Sequence, residues 1–537
     1  MSIRGQPQLL KEGTQSLQGI DEAIMRNITA VKEFVQIIMT SLGPNGCNKM
    51  IINHAGKLFI TSDAATMVQE LEVDHPAPRL LIDAAKNQEQ EIGDGTNFAM
   101  IFAGELLQEA GKLIKSGLHV SEIISGYKIA YAELEKILPT LVCHTVEDIT
   151  NRDQLIEVIN PVIASKQSGL EGILCPFVVD ACLRVMPKDI RKFNVDNVRV
   201  VKLTGATISS SRLVNGFVLN RFPMGTIDSV VNAKIAMFGC SLQLDRGETK
   251  GAVVVNTAQE YMDFSEGEEQ LIRKTILQMK DAGINVIITN GTVSDLALHF
   301  CEAFDIMVLK CPSKWDMRRV AKVVRANILS DLNIPTDAQC GYCTSVRVQD
   351  IGGRNVTVFE QDGTSGMASI VIRGSTEEIL NDYSRAIDDG INVVKAITRD
   401  PGFLPGAGAV DMELSKLLTE IGEKTPGLAQ YAISGFGKAL QVIPRILSEN
   451  SGMSSVEILS SLLAAHIRGE TAVGIDIEEH GLVDVMEKRI FDHLLAKKWA
   501  FKFAVDAATT VLSVDQIIMA RKSGGPRMRG PRARDAV

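Results

Sequence analysis

Hydrophobic residues recur with helical spacing in both terminal parts of the chain. In the N-terminal part, apolar positions at intervals of three to four residues run from Phe98 to Ile114 and stop at Gly117, and a similar stretch covers Val31 to Met39. In the C-terminal part, the same spacing runs from Leu414 to Ile421. These stripes predict amphipathic helices that pack into a core.

The middle of the chain has a different pattern, in which short apolar runs alternate with helical segments. Helical spacing is found at residues 294–304 and 316–325. The runs that predict strands are Val198–Leu203, Val253–Val255, Ile284–Ile288 and Ile306–Leu309. This alternation predicts an α/β domain that is inserted between two helical parts.

Four short polar loops carry the candidate chemistry. Each follows or precedes an apolar segment, and they are Leu42–Gly46, Ser62–Thr66, Gly93–Thr96 and Gly406–Ala409. Glycine lets a backbone approach a phosphate closely, and the helix that follows directs free N–H groups and its positive dipole end at the anion. Asp63 and Asp94 lie beside such loops, as carboxylates do when they share a magnesium ion with phosphate oxygens. The loops predict a nucleotide site whose halves meet only if the middle domain is an insertion.

The two common nucleotide motifs do not account for these loops. The nearest match to a Walker A loop, Gly435–Lys438, is followed by Ala439 and has Ala432 where the first glycine belongs. A dinucleotide fingerprint at Gly406 fails because Asp411 takes the third glycine position and no clear strand precedes the turn.

Length and composition limit the class of protein. At 537 residues the chain is too long for one core, and three domains are expected. The net charge of −9 gives no general attraction to nucleic acid, and the Arg-rich segment 521–534 is expected to be a disordered tail. An odd number of cysteines, no apolar leader and no apolar run of membrane-spanning length predict a reduced, cytoplasmic protein with no membrane partner. Cys340 and Cys343 have the spacing of half a zinc site, which no second pair completes.

The four loops, in this order, resemble the ATP site of the group II chaperonins, which combines LGPxG, an Asp-containing loop, GDGT and a GGGA-like turn. Further stretches match that family: Ser294–Ala297, Asp316–Ala321, Arg373–Thr376, Ser384–Arg385 and Val514–Met519. Three short stretches resemble one subunit type of the eukaryotic cytosolic member of the family. These are Gly43–Gly46, Asp63–Ala65 and Asp388–Asn392. The resemblance covers nearly the whole chain.

The resemblance implies a multi-domain α/β architecture. A mainly helical equatorial ATP-binding domain would comprise residues 1–149 and 405–522, and a small intermediate hinge domain residues 150–216 and 369–404. An α/β apical substrate-binding domain with a helical protrusion would comprise residues 217–368, with part of the protrusion at 328–343. Residues 523–537 would form a disordered basic tail.

The resemblance also implies roles for individual residues. Asp94 would hold Mg²⁺, and Asp63 and Asp400 would be the catalytic carboxylates that orient or deprotonate the attacking water. Asp400 precedes Pro401, so a turn-forming aspartate is the simpler interpretation of that position. The residues that would contact ATP are Leu42, Gly43, Pro44, Gly46, Gly95, Thr96, Asn97, Lys166, Gly408 and Asp492.

Three positions depart from the family pattern. Asn97 stands where many relatives have Thr, Ala64 replaces a glycine of the Asp-containing loop, and Ala407 replaces the middle glycine of the late turn. Alanine is strained at positive φ, so Ala64 and Ala407 are harmless only where the backbone is not left-handed. No carboxylate is lost, so we expect ATP binding and hydrolysis.

Three functions are compatible with these features. The first is an ATPase subunit of a double eight-membered ring, built with seven paralogous subunits, that folds clients such as actin and tubulin in a closed chamber. The second is a ring subunit that holds nucleotide with little turnover. The third is a small-molecule kinase, for which the insertion at 217–368 has no role.

Overall fold

The computed structural model describes residues 15–17, 20–243, 258–351, 353–361 and 366–519. The predicted strand at 253–255 and the basic tail lie outside these residues. The helices are α1 (Ile20–Met39), α2 (Ala64–Glu70), α3 (Pro76–Glu91), α4 (Thr96–Lys115), α5 (Val120–Ile137), α6 (Arg152–Ala164), α7 (Glu171–Val185), α8 (Ala258–Asp281), α9 (Asp295–Ala303), α10 (Lys314–Val324), α11 (Glu377–Ile397), α12 (Ala409–Lys424), α13 (Ala429–Leu440), α14 (Val442–Asn450), α15 (Ser455–Ile467), α16 (Val485–Lys488) and α17 (Leu494–Leu512). None of the helices in these ranges is both long and apolar enough to cross a membrane.

Among the described residues, the strands form six small or medium-sized sheets. They are β1 (Gln15–Leu17), β2 (Lys49–Ile52), β3 (Leu58–Thr61), β4 (His144–Thr145), β5 (Val198–Thr204), β6 (Arg212–Val214), β7 (Gly216–Leu219), β8 (Ser229–Phe238), β9 (Val286–Thr289), β10 (Met307–Lys310), β11 (Ile328–Leu329), β12 (Gly341–Asp350), β13 (Asn355–Glu360), β14 (Ala368–Gly374), β15 (Gly402–Pro405), β16 (Val473–Asp476), β17 (Gly481–Asp484), β18 (Phe491–His493) and β19 (Ile517–Met519).

The first core joins helices from both ends of the chain. Helices α1, α3, α4 and α5 pack with α12, α13, α14 and α17. At its centre, Phe98 and Phe102 on α4 meet Phe436 and Phe501 edge to face, with ring centroids 5.0 to 5.4 Å apart. The predicted apolar stripes of α4 and α12 are confirmed as core-facing.

The second core is assembled from two separate stretches of chain. Helices α6, α7 and α11 pack on a three-stranded sheet of order β5-β14-β6. β5 runs parallel to β14 with Val198 opposite Ala368, whereas β6 is antiparallel to β14. Because β5 precedes the middle of the chain and β14 follows it, the chain leaves this core and returns to it.

The middle of the chain forms a seven-stranded sheet of order β10-β9-β8-β12-β13-β7, with β11 paired to β8. β8, β9 and β10 are parallel, and α8 and α9 connect them. The predicted strands at 284–288 and 306–309 and the predicted helices at 294–304 and 316–325 are confirmed. Residues 328–343 contain β11, a loop and the start of β12, and no α-helix. The multi-domain α/β fold class is confirmed.

A three-stranded antiparallel sheet, β4-β15-β18, lies where the chain returns to the first core. β15 runs directly into Gly406, so the prediction that no strand precedes this turn is wrong. The strand has only four residues and contains glycine and proline, which have low strand propensity and gave no signal. The sheet is antiparallel, so the arrangement still differs from a dinucleotide-binding βαβ unit.

Candidate functional site

Helix α4 begins at a left-handed glycine that no side chain caps. Gly95, with φ of 78°, is the N-cap residue. Asp94 accepts a 2.6 Å hydrogen bond from the Gly95 N–H through Oδ1, and its backbone carbonyl accepts one from Gln88 Nε2 at 2.7 Å. Gln88 also donates to the carbonyl of Ala496 at 3.2 Å, so α3 and α17 both hold the loop. Thr96, the first residue of the helix, is buried. The uncapped helix end is suited to an anion.

Helix α12 begins in the same way. Its N-cap residue is Gly408, also with φ of 78° and without a side-chain cap. Ala407 has φ of 52°, so this alanine occupies the left-handed region, where its β-carbon strains the backbone. Its carbonyl accepts a 3.1 Å hydrogen bond from the N–H of Ile475 on β16, which holds it in place. Ala64, by contrast, is the first residue of α2 and is not strained.

Helix α14 brings the first loop and the late turn together. A side chain at Gly43 would meet Leu447 at 2.7 Å, and one at Gly408 would meet Pro444 at 3.0 Å. Asn450, on the same helix, donates to the carbonyl of Leu42 at 2.9 Å. Loop residues 42–46 and the turn at 406–408 therefore pack on one helix, although they are far apart in sequence.

Within the first loop, the chain reverses over a few residues. The Gly46 N–H donates to the Gly43 carbonyl at 2.9 Å, and a side chain at Gly46 would lie 2.4 Å from the carbonyl of Ser41. Gly43 has φ of 85° and Pro44 is exposed at the tip. The turn therefore requires glycine at two of its positions.

Asn97 joins two other loops to α4. Its Oδ1 accepts a 3.2 Å hydrogen bond from the N–H of Ala64, and its Nδ2 donates to Ser41 Oγ at 3.2 Å. The residue that departs from the family pattern thus bridges the Asp63 loop and the start of the first loop.

Lys166 lies between two carboxylates that come from different parts of the chain. Its Nζ is 2.6 Å from Asp63 Oδ1 and 3.3 Å from Asp389 Oδ2, and all three side chains are largely buried. Asp63 is also the N-cap residue of α2 and accepts hydrogen bonds from the N–H and hydroxyl of Thr66. Burial alone would raise the pKa of Asp63, but the Lys166 ammonium and the Thr66 hydrogen bonds lower it to about 2. Burial raises the pKa of Asp389 well above its ordinary value.

Carboxylates outnumber cations around Lys166. Burial, and then the charge of Asp63, raise the pKa of Glu89 to about 7, and burial raises the pKa of Asp94. A further cation would offset this excess negative charge, so the side chains suit Mg²⁺. Within the described ranges, no three His, Cys, Asp or Glu side chains are close enough to hold a metal ion alone. Magnesium would therefore need phosphate oxygens and water besides Asp94, as is common for this ion.

Helix α11 connects the second core to the site. Arg385 Nη1 donates to Thr61 Oγ1 at 2.9 Å, just before Asp63 in the chain. One turn beyond Asp389, the Asn392 side chain packs so closely on Gly93 that a β-carbon there would lie 2.1 Å from Asn392 Nδ2. Gly93, with φ of 82°, is thus the point where α11 touches the loop that carries Asp94.

The structure places Asp400 apart from this group. Its Oδ1 accepts a 3.0 Å hydrogen bond from the Gly402 N–H, and its carbonyl accepts one from His493 Nε2 at 2.9 Å. These are the contacts of a turn residue. Asp389, which the sequence analysis did not select, takes the place beside Lys166. Its signal is a carboxylate on the buried face of an amphipathic helix, between Ala386 and Val393.

Asp492 lies at the far side of the late turn. On β18 it pairs with Leu404 of β15, and its side chain is 38% exposed. Lys497 Nζ lies 3.2 Å from Asp492 Oδ2 and 2.8 Å from Asp411 Oδ2. The structure therefore gathers Leu42, Gly43, Asp63, Asp94, Gly95, Asn97 and Lys166 through a network of contacts, with Gly408 and Asp492 at the other end.

Comparisons with known proteins give the family. The model of the TCP-1/cpn60 chaperonin family matches residues 34–522. T-complex protein 1 subunit theta of Homo sapiens is 46% identical over 526 residues, covering 97% of this chain and 96% of the relative. The probable theta subunit of Schizosaccharomyces pombe is 44% identical over 530 residues, covering 98% and 97%. The theta subunit of Dictyostelium discoideum is 45% identical over 524 residues, covering 97% and 98%.

These relatives confirm the subunit type that Gly43–Gly46, Asp63–Ala65 and Asp388–Asn392 indicate, which is theta. They also remove the small-molecule kinase from consideration. The matched family model, the level of identity and the nearly complete coverage together show that this chain belongs to the TCP-1/cpn60 chaperonin family.

Proposed function

We propose that this chaperonin subunit binds ATP with magnesium and hydrolyses it, and that hydrolysis drives protein folding. The observation that carries the proposal is the ammonium of Lys166, held 2.6 Å from Asp63 and 3.3 Å from Asp389. This group lies beside the loop that leads into the uncapped end of α4, and the uncapped end of α12 lies at the other end of the site. Carboxylates that can orient a water and accept its proton, beside an anion site, are an arrangement that supports hydrolysis of a phosphoanhydride.

The glycine loops would hold the nucleotide. The N-terminal turns of α4 and α12, together with the first loop around Gly43, would offer backbone N–H groups to the phosphates. Asp94 would hold magnesium. Gly408 and Asp492 would lie at the nucleoside end. Magnesium, when bound, supplies positive charge that offsets the negative charge of the phosphate oxygens.

Two carboxylates would divide the work on the attacking water. Asp63, with a pKa of about 2, stays ionised and would orient the water as a hydrogen-bond acceptor. Asp389, whose pKa is raised by burial, binds a proton more readily and would accept the one that the water loses. We therefore assign to Asp389 the role that the sequence suggested for Asp400, and keep Asp63 in its predicted role. Lys166 would hold both carboxylates in position.

The catalytic group would be complete only while two cores touch. Lys166 and Asp389 follow or belong to elements of the second core, whereas Asp63 and Asp94 lie on loops of the first. A swing of the second core would separate the two sets and stop hydrolysis. We assign the first core to an equatorial domain (1–149 and 405–522), the second to an intermediate domain (150–216 and 369–404), and the middle sheet to an apical domain (217–368).

The assembly is the remaining part of the proposal. The subunit would occupy one position in a double eight-membered ring with seven paralogous subunits in the cytoplasm. Its middle domain would bind unfolded clients, with actin and tubulin as the class to test first, and the closed chamber would contain them while they fold.

A subunit that holds nucleotide with little turnover is the second candidate. Asn97 favours it, because its amide oxygen accepts from Ala64 and one of its two N–H groups is donated to Ser41, which leaves a single N–H for a phosphate. The two candidates differ in which nucleotide occupies this subunit after one turnover.

The binding step can be tested at Asp94. Complexes that contain Asp94→Asn in this subunit alone are loaded with ATP, and high-resolution structures show whether this subunit retains nucleotide with and without magnesium. We expect magnesium-dependent retention to be lost, since the only change is a metal-binding charge. Asp83→Asn, on an exposed position of α3, is the matched control and should retain nucleotide. Unchanged magnesium-dependent retention in Asp94→Asn would contradict the assignment.

A further inference from the structure

Thr61 lies between the loop that carries Asp63 and helix α11. It is the last residue of β3 and is 0% exposed. Its Oγ1 accepts a 3.0 Å hydrogen bond from the N–H of Asp63 and a 2.9 Å hydrogen bond from Arg385 Nη1. One side chain of the first core is therefore bonded both to the backbone of a proposed catalytic residue and to a cation of the second core.

The Thr61 hydroxyl uses its whole capacity for hydrogen bonds. A threonine hydroxyl has one donor and two acceptor sites, and the bonds from Asp63 and Arg385 fill both acceptor sites. Its hydrogen is left for Asp382. Burial raises the pKa of this carboxyl, and the charge of Arg385 and hydrogen bonding from Arg385 and Thr61 oppose the rise. Because Arg385 also donates to Asp382 Oδ1 at 2.7 Å, the three side chains form a triangle of hydrogen bonds across the boundary of the two cores.

Helix α11 carries Arg385 and Asp389 on the same face, because four residues separate them. Arg385 contacts Thr61, and one turn further on Asp389 lies 3.3 Å from Lys166. A movement of α11 that displaced Asp389 would therefore also remove Arg385 from Thr61.

The backbone and the side chain of Asp63 are held by different groups. Lys166 and Thr66 bond to the carboxylate, whereas Thr61 bonds to the backbone N–H. Asp63 is the N-cap residue of α2, so a shift of its backbone would move the carboxylate with it. A misplacement of about 1 Å in such a group can slow a reaction about a hundredfold.

We infer that Thr61 is a positioning residue for hydrolysis, which holds the Asp63 backbone in place beside Asp389 while Arg385 is bonded to its hydroxyl. The inference rests on the proposed function and adds to it the route by which the position of the second core affects Asp63. A buried threonine with a structural role alone would contribute to stability but would not change the rate at which bound ATP is cleaved.

The test separates the rate of ATP cleavage from the retention of nucleotide. Complexes that contain Thr61→Val in this subunit alone are loaded with ATP and magnesium and frozen at successive times, and high-resolution structures give the ratio of ATP to ADP in this subunit. Valine keeps the shape of threonine and removes the hydroxyl, so we expect unchanged retention and cleavage that is roughly ten- to a hundredfold slower. Thr61→Ser restores the hydroxyl and should cleave ATP at close to the unsubstituted rate.

Thr357→Val is the matched control. Thr357 lies on β13 in the middle sheet and is also 0% exposed, and its hydroxyl donates to the carbonyl of Arg221 at 2.8 Å. This variant should lower the urea midpoint of the full-length chain about as much as Thr61→Val does, and it should cleave ATP at the unsubstituted rate. Equal slowing in the two variants would reduce the effect of Thr61 to stability and overturn the inference.

A further set of variants tests the link to α11. Arg385→Met combined with Asp382→Leu replaces a largely buried ion pair as a whole, which is usually tolerated. If Arg385 acts through Thr61, this double variant should slow cleavage, and adding Thr61→Val should slow it little further.

Three results would overturn the inference alone. They are effects of the double variant and of Thr61→Val that multiply, loss of nucleotide from Thr61→Val, and cleavage by Thr61→Val at the unsubstituted rate. If the unsubstituted subunit itself cleaved no ATP, the proposed hydrolysis would fail together with the inference.

Discussion

The site has a buried lysine at each end. One lysine joins carboxylates from two cores, and the other joins carboxylates from a single part of the chain. Lys166 joins Asp63 and Asp389, which come from stretches of chain on either side of the middle domain and from different cores. Lys497 joins Asp411 and Asp492, which belong to the C-terminal part alone. The distances are similar, at 2.6 and 3.3 Å for the first and 2.8 and 3.2 Å for the second.

The glycine turns beside the two lysines also differ in which core packs on them. Asn392 of the second core packs on Gly93, whereas Pro444, which belongs to the first core, packs on Gly408. Both turns lead into uncapped helices, so both suit an anion. Under the proposed function, the end near Lys166 would sense the position of the second core and carry out hydrolysis, while the end near Lys497 would hold the nucleoside.

The largest effect is expected at Lys166. Lys166→Met would leave two buried carboxylates without their cation, which typically costs about 3–5 kcal/mol in the free energy of unfolding. The loss should appear as a lower urea midpoint of the full-length chain, and Lys166→Met combined with Asp389→Asn should recover part of it. If Lys166→Met had the same urea midpoint as the unsubstituted chain, the pairing of Lys166 with the two carboxylates would not contribute to stability.

The contact between α11 and the Asp94 loop gives the second prediction. Gly93→Ala would place a β-carbon 2.1 Å from Asn392 Nδ2 and would also strain a left-handed backbone. Gly56→Ala is the matched control, because Gly56 has φ of 72° but nothing within 4 Å of the added carbon. We expect Gly56→Ala to cost about 1 kcal/mol of stability from the backbone alone. Gly93→Ala should cost more and also slow ATP cleavage, and equal effects in the two variants would remove the proposed link between the cores.

The excess of carboxylates around Lys166 predicts a dependence on pH. The pKa of Glu89 is about 7 in the folded chain against 4.5 ordinarily, so between these values the folded state holds a proton that the unfolded state has lost. Stability contributed by Glu89 therefore falls as pH rises from about 4.5 to 7. Without magnesium and nucleotide, Glu89→Gln should match the unsubstituted chain at pH 4 and exceed it by about 1–3 kcal/mol at pH 8. Parallel stability curves would show that Glu89 is not perturbed.

The smallest effect is expected at the late turn. Ala407, at φ of 52°, is strained by about 1 kcal/mol, and Ala407→Gly would relieve this strain while making the unfolded chain more flexible. We expect a net gain of about 0.5 kcal/mol by thermal unfolding, and at most a small change in ATP cleavage, because glycine keeps the left-handed turn and leaves Asp63, Asp389 and Lys166 unchanged. A loss of stability would mean that the contact between Ala407 and Ile475 needs the alanine side chain.

Much of the fold was predictable because long helices and buried strands leave strong periodic patterns. The stripes of α4 and α12 and the strands β5, β9 and β10 all follow such patterns. β15 was missed because four residues that include glycine and proline show neither alternation nor strand propensity. The absence of a helix at residues 328–343 could not be predicted either, because the mixture of polar and apolar residues in this segment is compatible with several structures.

The site was predictable where a motif requires a special backbone. Gly43, Gly95 and Gly408 all have positive φ, and the loops around them were found from glycine alone. Asp389 was missed because it lies inside a helix, where sequence offers only an acidic residue on an apolar face. Lys497 was missed for a related reason, since its two partners lie at distant positions that only the fold brings together.

In the proposed function, hydrolysis depends on Asp389, which the second core presents to the first. Complexes carrying Asp389→Asn in this subunit alone are allowed one turnover, and a high-resolution structure shows which nucleotide this subunit holds. Removing a general base slows a reaction by roughly two to four orders of magnitude, so we predict ATP in Asp389→Asn and ADP in the unsubstituted subunit. Asp388→Asn, at the exposed neighbouring position, and Asp400→Asn should both contain ADP. ADP in Asp389→Asn would contradict the assignment, and uncleaved ATP in the unsubstituted subunit would show that it only holds nucleotide.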